Sequence, residues 1–257
     1  KKNAKTVDFS KPTAEIQPTM YGIFFEDINF GADGGLYAEL VKNRSFEFPQ
    51  PFVGWVPFGN VSVQSEKPCF ERNPHYVRVV NDGRLLRAGL DNEGFTGIGL
   101  KEGEEYRFSV YARTQDAAPM KLSVELVRKD GSNPLKKTVE VKGDEWQKQT
   151  VILKSPFTDA HARLRIVLET KGTVDMDHIS LFPVKTWKGR ENGLRTDLAQ
   201  ALYDLNPGVL RFPGGCIIEG NSLATRYQWK NSVGPVENRP LNENRWNYTF
   251  KHKAFPD

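Results

Sequence analysis

Two short stretches carry side chains able to handle a polar ligand. Glu26 and Asp27 close an apolar run that begins at Met20, and Arg211-Phe212-Pro213-Gly214-Gly215-Cys216 closes a second one. A fixed carboxylate accepts two hydrogen bonds from the hydroxyls of a sugar. Gly214 and Gly215 in succession let the backbone approach a ligand, and Arg211 just below them is a planar donor fork. Taken alone, the glycine run also reads as an ordinary tight turn, because motifs this short match by chance. Glycoside hydrolysis requires two carboxyl groups flanking the bond, ~5 to 5.5 Å apart for retention and wider for inversion. Glu26 and Asp27 cannot be that pair, since neighbours on a strand point to opposite faces. Glu219, after the glycine turn, reads first as a surface acid.

Other reactive side chains give weaker patterns. His75, His161, His178 and His252 are scattered without ligand spacing, which leaves a transition-metal site without support. A structural calcium ion is better motivated. Glu47 opens the middle segment and Asp175 and Asp177 lie on its last predicted strand, so Glu47 and Asp177 are the candidate ligands if that strand pairs with the first. Solvated carboxylates explain the same residues. Cys216 has no histidine nearby to activate it and reads as a small packing residue, and Cys69 falls in a different predicted domain, so no disulfide is expected between them. Tyr111, Trp55 and Trp146 are candidate platforms for sugar rings, although aromatics are more often core.

The elements that must position these residues change character along the chain. Residues 20–28 form an apolar run ending in acids, as a barrel strand presents a carboxylate at its mouth. After a glycine-rich loop, Leu36, Leu40 and Val41 fit one face of a short helix. From about residue 46 to 184 the pattern becomes short alternating segments between turn residues. Tyr106, Phe108, Val110 and Ala112 face one way, and Arg107, Ser109, Tyr111 and Arg113 the other. Roughly eight or nine such strands predict a β-sandwich of jelly-roll type. The α/β texture then resumes. Leu194, Leu198, Ala201, Leu202 and Leu205 recur at helical spacing, Asn206-Pro207 ends the helix, and 208–212 suit a buried parallel strand.

The expected fold is therefore multidomain, a jelly-roll sandwich inserted into the first part of a (β/α)8 barrel that is incomplete in this chain. Its expected divisions are 1–17, 18–46, 47–185 and 186–257. The first carries an alternating stretch near residues 5–9 that looks like an edge strand, and the last ends in a long aromatic-rich loop. Two βα units cannot close a barrel, so the chain is expected to be the front part of a longer protein.

Composition narrows the possibilities further. The 257 residues hold 38% apolar and 26% charged residues, which is globular composition. No apolar run approaches the ~20 residues of a membrane span, so no membrane partner is expected. The net charge of +4 is spread thinly, and no aromatic-laced basic run suggests a nucleic-acid partner. The expected location is secreted or periplasmic, with the cytoplasm open.

Four motifs, in this order, resemble one family. They are Met20-Tyr-Gly-Ile-Phe-Phe-Glu-Asp-Ile-Asn29, Gly34-Gly-Leu-Tyr-Ala-Glu-Leu-Val-Lys-Asn-Arg-Ser-Phe-Glu47, Leu210-Arg-Phe-Pro-Gly-Gly-Cys216 and Trp229-Lys-Asn-Ser-Val-Gly-Pro235. They are similar to the N-terminal part of a glycoside hydrolase family 51 α-L-arabinofuranosidase, and the inserted segment resembles the carbohydrate-binding-like jelly roll of one branch of that family. The resemblance implies retaining hydrolysis of terminal arabinofuranosyl groups from arabinan or arabinoxylan, by two glutamates on later barrel strands outside these residues and with no catalytic cofactor. It also implies that Glu26 binds the sugar, that Arg211 and Cys216 line the same subsite, and that Trp246 lies beside the leaving-group sugar. Residues 1–17 would join a C-terminal sandwich, and the full-length enzyme would be a candidate homo-oligomer. The competing reading is a non-catalytic carbohydrate-binding module with incidental flanks.

Overall fold

The computed structural model describes residues 5–84, 87–132, 135–242 and 244. Most of them belong to a β-sandwich. Its six-stranded sheet contains β2 (Trp55–Phe58), β5 (Gly89–Asn92), β6 (Ile98–Leu100), β8 (Met120–Val127), β9 (Leu135–Val141) and β11 (Asp159–Leu168). The five-stranded sheet contains β3 (Asn60–Gln64), β4 (Tyr76–Asn81), β7 (Glu105–Arg113), β10 (Gln147–Lys154) and β12 (Gly172–Pro183), in the order β10-β7-β12-β4-β3. All pairings in both sheets are antiparallel. The two-residue side-chain period accounts for the core. Tyr106, Phe108, Val110 and Ala112 of β7 are buried against Leu122, Val124, Leu164 and Ile166 of the facing sheet.

Outside the sandwich, β1 (Gly22–Phe24) pairs in parallel with β13 (Val209–Arg211), with Gly22 opposite Val209 and Phe24 opposite Arg211. The intervening helix α1 spans Thr196–Asp204, within the expected 194–205. Among the described residues no helix is long and apolar enough to cross a membrane.

Several expectations are corrected. Residues 36–41 form no helix: a turn closes at Leu36 and Tyr37, whose amides donate to Gly31 O and Ala32 O (both 2.9 Å), and an irregular incoming segment follows. The Leu40 amide donates to Leu181 O (2.9 Å), Ala38 N to Gly193 O (3.2 Å) and Arg195 N to Leu36 O (2.9 Å), so pairing with distant backbone replaces local helical bonds. Within this segment Glu39, 2% exposed, accepts from Leu181 N (2.8 Å), Val41 N (3.0 Å), Ser180 Oγ (2.5 Å) and Arg44 Nη1 (3.4 Å). Residues 5–17, expected to pair with a partner outside these residues, carry no strand here, and Val7 and Phe9 stand exposed, which does not bear on that expectation. The sandwich has more strands than the expected eight or nine, because turns at Gly59 and at Gly94 to Gly97 divide runs that look continuous.

Candidate functional site

The mouth of the parallel pair is built by close approach. Beyond the last paired residues, the Phe25 amide still donates to Arg211 O (2.9 Å), which keeps the two chains together as far as Glu26. The Phe212–Pro213 peptide is cis, and Gly214 follows with φ +134°, a conformation that suits glycine. A methyl group on Gly214 would lie 2.7 Å from Glu26 Cβ and 2.8 Å from its Cδ, so the glycine makes room for that side chain. Glu26 Oε1 accepts from the amides of Gly215 (3.3 Å) and Ile217 (3.4 Å), at the start of the short helix α2, Cys216–Glu219. Arg211 is exposed, with its guanidinium 4.8 Å from the Phe24 ring centroid and its Nη2 3.6 Å from where a Gly215 Cβ would sit. Cys216 is exposed and free.

The structure thus brings Glu26, Arg211, Gly214, Gly215 and Cys216 to one mouth, across an insertion of more than a hundred residues. Glu219 is exposed at the end of α2. Trp246 lies outside the described residues. Adjacent Asp27 points the other way and is fully buried. Its Oδ1 accepts from Ala32 N (2.8 Å), and the Asn244 amide nitrogen donates both to its Oδ2 (2.9 Å) and to its backbone oxygen (2.9 Å). Burial raises the Asp27 carboxyl from 3.8 to about 6, against the lowering effect of those hydrogen bonds. This tie was missed in the sequence. The only signal is the strand period that sends the second of two adjacent acids to the interior face.

The remaining candidates sit in the sandwich. Asp175 is held by Arg78 (2.7 and 2.9 Å) and Arg113 (3.0 Å), which explains why outward-facing Arg113 is buried. The strand carrying Asp175 and Asp177 pairs with β4 and β7 rather than with the first sandwich strand. Both Glu47 oxygens meet His75, at its backbone amide (2.7 Å) and Nδ1 (2.6 Å). Asp177 is fully buried. Burial and the nearby Glu47 charge push its carboxyl well up, and among the described residues its Oδ2 has no hydrogen-bond partner. Among the described residues no group of three or more metal-capable side chains comes together.

The three aromatics considered as sugar platforms are engaged within the fold. Trp55 is buried and donates to Asn43 O (2.7 Å), Trp146 lies against Arg113 (4.4 Å), and Tyr111 donates to Glu237 Oε1 (2.9 Å). Burial, with Asp177 and Glu237 nearby, pushes the Cys69 thiol up to about 12 in spite of Arg113, so it is no nucleophile.

A carboxylate and a guanidinium thus stand together at the mouth of the parallel strands. The family described as "Carbohydrate binding domain" matches residues 38–175, and "Alpha-L-arabinofuranosidase 1 domain" matches 201–255. An extracellular exo-α-L-arabinofuranosidase from Streptomyces chartreusis is 38% identical over 95% of this chain and 31% of its own length. Alpha-L-arabinofuranosidase 1 of Arabidopsis thaliana is 38% identical over 88% of the chain and 35% of its own length. An arabinose-bound GH51 α-L-arabinofuranosidase structure superimposes with a TM-score of 0.83 at 31% identity, covering 92% of this chain and 40% of that one. The chain belongs to glycoside hydrolase family 51, corresponds to the N-terminal portion of its α-L-arabinofuranosidases, and carries a sandwich of the carbohydrate-binding-domain family. It spans about a third of the length of the curated relatives it matches.

Proposed function

We propose that this chain supplies the glycone half of the pocket of a retaining α-L-arabinofuranosidase acting on arabinan- or arabinoxylan-type polymers. The single observation that carries this reading is Glu26. Its Oε1 accepts from two backbone amides, which fixes the carboxylate at the mouth of the parallel pair. Arg211 and Cys216 line the same subsite, and Gly214 and Gly215 let the backbone close on the sugar. The acid/base and nucleophile are two glutamates on later strands of a (β/α)8 barrel begun by β1 and β13. Supporting that barrel, Tyr21, Phe24, Leu205, Val209 and Leu210 are exposed here, although parallel strands are ordinarily covered on both faces. The divisions 1–17, 18–46, 47–185 and 186–257 follow from this reading, as do a secreted or periplasmic location and a homo-oligomer of the whole enzyme.

The test is Glu26→Ala in the full-length enzyme, assayed on an aryl arabinofuranoside. Losing a charged hydrogen bond to the sugar lowers kcat/KM by roughly 10²-fold, with an almost unchanged Tm. Retained activity with a collapsed Tm would make Glu26 a structural residue.

A structural calcium ion on Glu47 and Asp177 is a separate proposal. It is supported by the Glu47 charge acting on Asp177 and by the Asp177 Oδ2 that has no hydrogen-bond partner among the described residues. Two groups compete with it, Arg44 beside Asp177 and His75 on Glu47.

A further inference from the structure

The outward face of the five-stranded sheet is the broad surface on which a sandwich can hold a polysaccharide chain. Here much of it is covered by the protein itself. Along β7 the outward residues are Arg107, Ser109, Tyr111 and Arg113. Arg107 pairs with Glu191 of the outgoing segment (3.3 Å), and Arg113 lies under Trp146, whose Nε1 donates to Lys67 O (3.2 Å). Tyr111 lies edge-on to Phe70, with ring centroids 4.9 Å apart, and donates its hydroxyl to Glu237 of the Val236–Asn238 turn (2.9 Å). Lys148, opposite Tyr111 on β10, is 3.7 Å from the same carboxylate. Buried Asn73 donates to the carbonyls of Glu237 (2.9 Å) and Arg239 (3.0 Å), which holds the turn at its backbone as well. Among the described residues of the sandwich, every Phe, Tyr and Trp side chain is buried or half-buried, which leaves little ring surface for stacking.

The turn held in this way belongs to a loop tied to the pocket on both sides. At one end Tyr227 N donates to Ile218 O (3.0 Å), next to the Ile217 amide that holds Glu26. At the other end Asn244 grips Asp27, the neighbour of Glu26. We infer that the sandwich is a brace for the pocket: through Tyr111, Asn73 and Lys148 it positions loop 227–242 beside the mouth that holds Glu26, and it does not bind polysaccharide on this sheet. Tyr111 and Glu237 are positioning residues, since neither touches the sugar. The kinetic consequence rests on the pocket reading above, whereas the mechanical one does not.

The test uses the full-length protein carrying Tyr111→Phe, which keeps the ring and removes the donor, with Glu237→Ala as a second variant. Backbone hydrogen exchange is followed by mass spectrometry. The expected result is roughly tenfold faster exchange in 227–242 and in 26–32, with β8 and β11 unchanged, as a charge-assisted hydrogen bond is lost. Exchange that stays at the wild-type rate in 227–242 overturns the brace.

In the kinetic arm, KM rises by the same factor on an aryl arabinofuranoside and on arabinan, while kcat stays within about twofold. A loss confined to the polymer, together with lost retardation in arabinan or xylan gels, assigns the sheet to polysaccharide binding and overturns the inference. A wild-type enzyme inactive on both substrates refutes the arabinofuranosidase reading, and the exchange result still decides the brace.

Discussion

Replacing Gly214 by alanine tests the geometry of the mouth at its tightest point. The new methyl group would sit 2.7 Å from Glu26 Cβ and 2.8 Å from its Cδ, at a φ of +134° that L residues rarely adopt. Either the backbone moves or the Glu26 side chain leaves the amides of Gly215 and Ile217. At 3.3 and 3.4 Å those hydrogen bonds are long, so each stands at the low end of the ~1.5–3 kcal/mol range for a charged acceptor. Losing both removes about 3 kcal/mol of pre-organisation, or roughly 10²-fold in affinity for the sugar. Backbone strain adds about 1–3 kcal/mol of lost stability. Gly215→Ala is the internal control, because its φ is −108° and the added methyl would meet only Arg211 Nη2, at 3.6 Å. Calorimetric titration of the full-length enzyme with arabinose, beside a urea melt, should place Gly214→Ala far below Gly215→Ala in both affinity and stability. Equal effects, or a greater loss at Gly215, would refute the account of why two glycines stand here.

Two further outcomes are expected. Burial raises the Asp27 carboxyl from 3.8 to about 6, so between these values the folded state binds more protons than the unfolded one and stability falls as pH rises. A shift of that size corresponds to about 3 kcal/mol. The stability difference between wild type and Asp27→Asn in urea melts should therefore shift by up to that amount, in favour of the variant, between pH 4 and pH 7; a constant difference would contradict the buried acid. If calcium binds at Glu47 and Asp177, millimolar calcium should raise the Tm by an amount set by its affinity, and Asp177→Asn should abolish the rise. Identical melts in calcium and chelator would end that proposal.

Local alternation was the strongest guide to the fold. Tyr106, Phe108, Val110 and Ala112 declared an inward face that the structure buries completely or nearly so. Glu26 and the run 211–216 were also legible, since a strand that ends in an acid or a glycine turn carries its own punctuation. What sequence could not show was non-local. Leu36, Leu40 and Val41 have helical spacing, yet their segment is not helical, because backbone partners lie about 140 to 160 positions away at Leu181, Gly193 and Arg195. Asp27 is defined by Asn244, and Tyr111 by Glu237, each joined only when the chain returns. An alternating pattern predicts which residues leave the core, but not that another loop will cover them.

The incoming and outgoing segments of the sandwich run side by side, with Arg195 N on Leu36 O and Ala38 N on Gly193 O. Seen from the parallel pair, the whole insertion therefore begins and ends at nearly one point. The closure entropy of such a loop grows only as the logarithm of its length, by about 0.6 kcal/mol per doubling. A module of well over a hundred residues then costs only about 3 kcal/mol more to close at this site than a short turn would. Joining Ala38 to Gly193 by a few small residues should leave the β1–β13 connection feasible, but the loop that carries Glu237 would lose its support. The position makes the sandwich removable in topology, and the contacts with Glu237 and Arg239 give a reason to retain it.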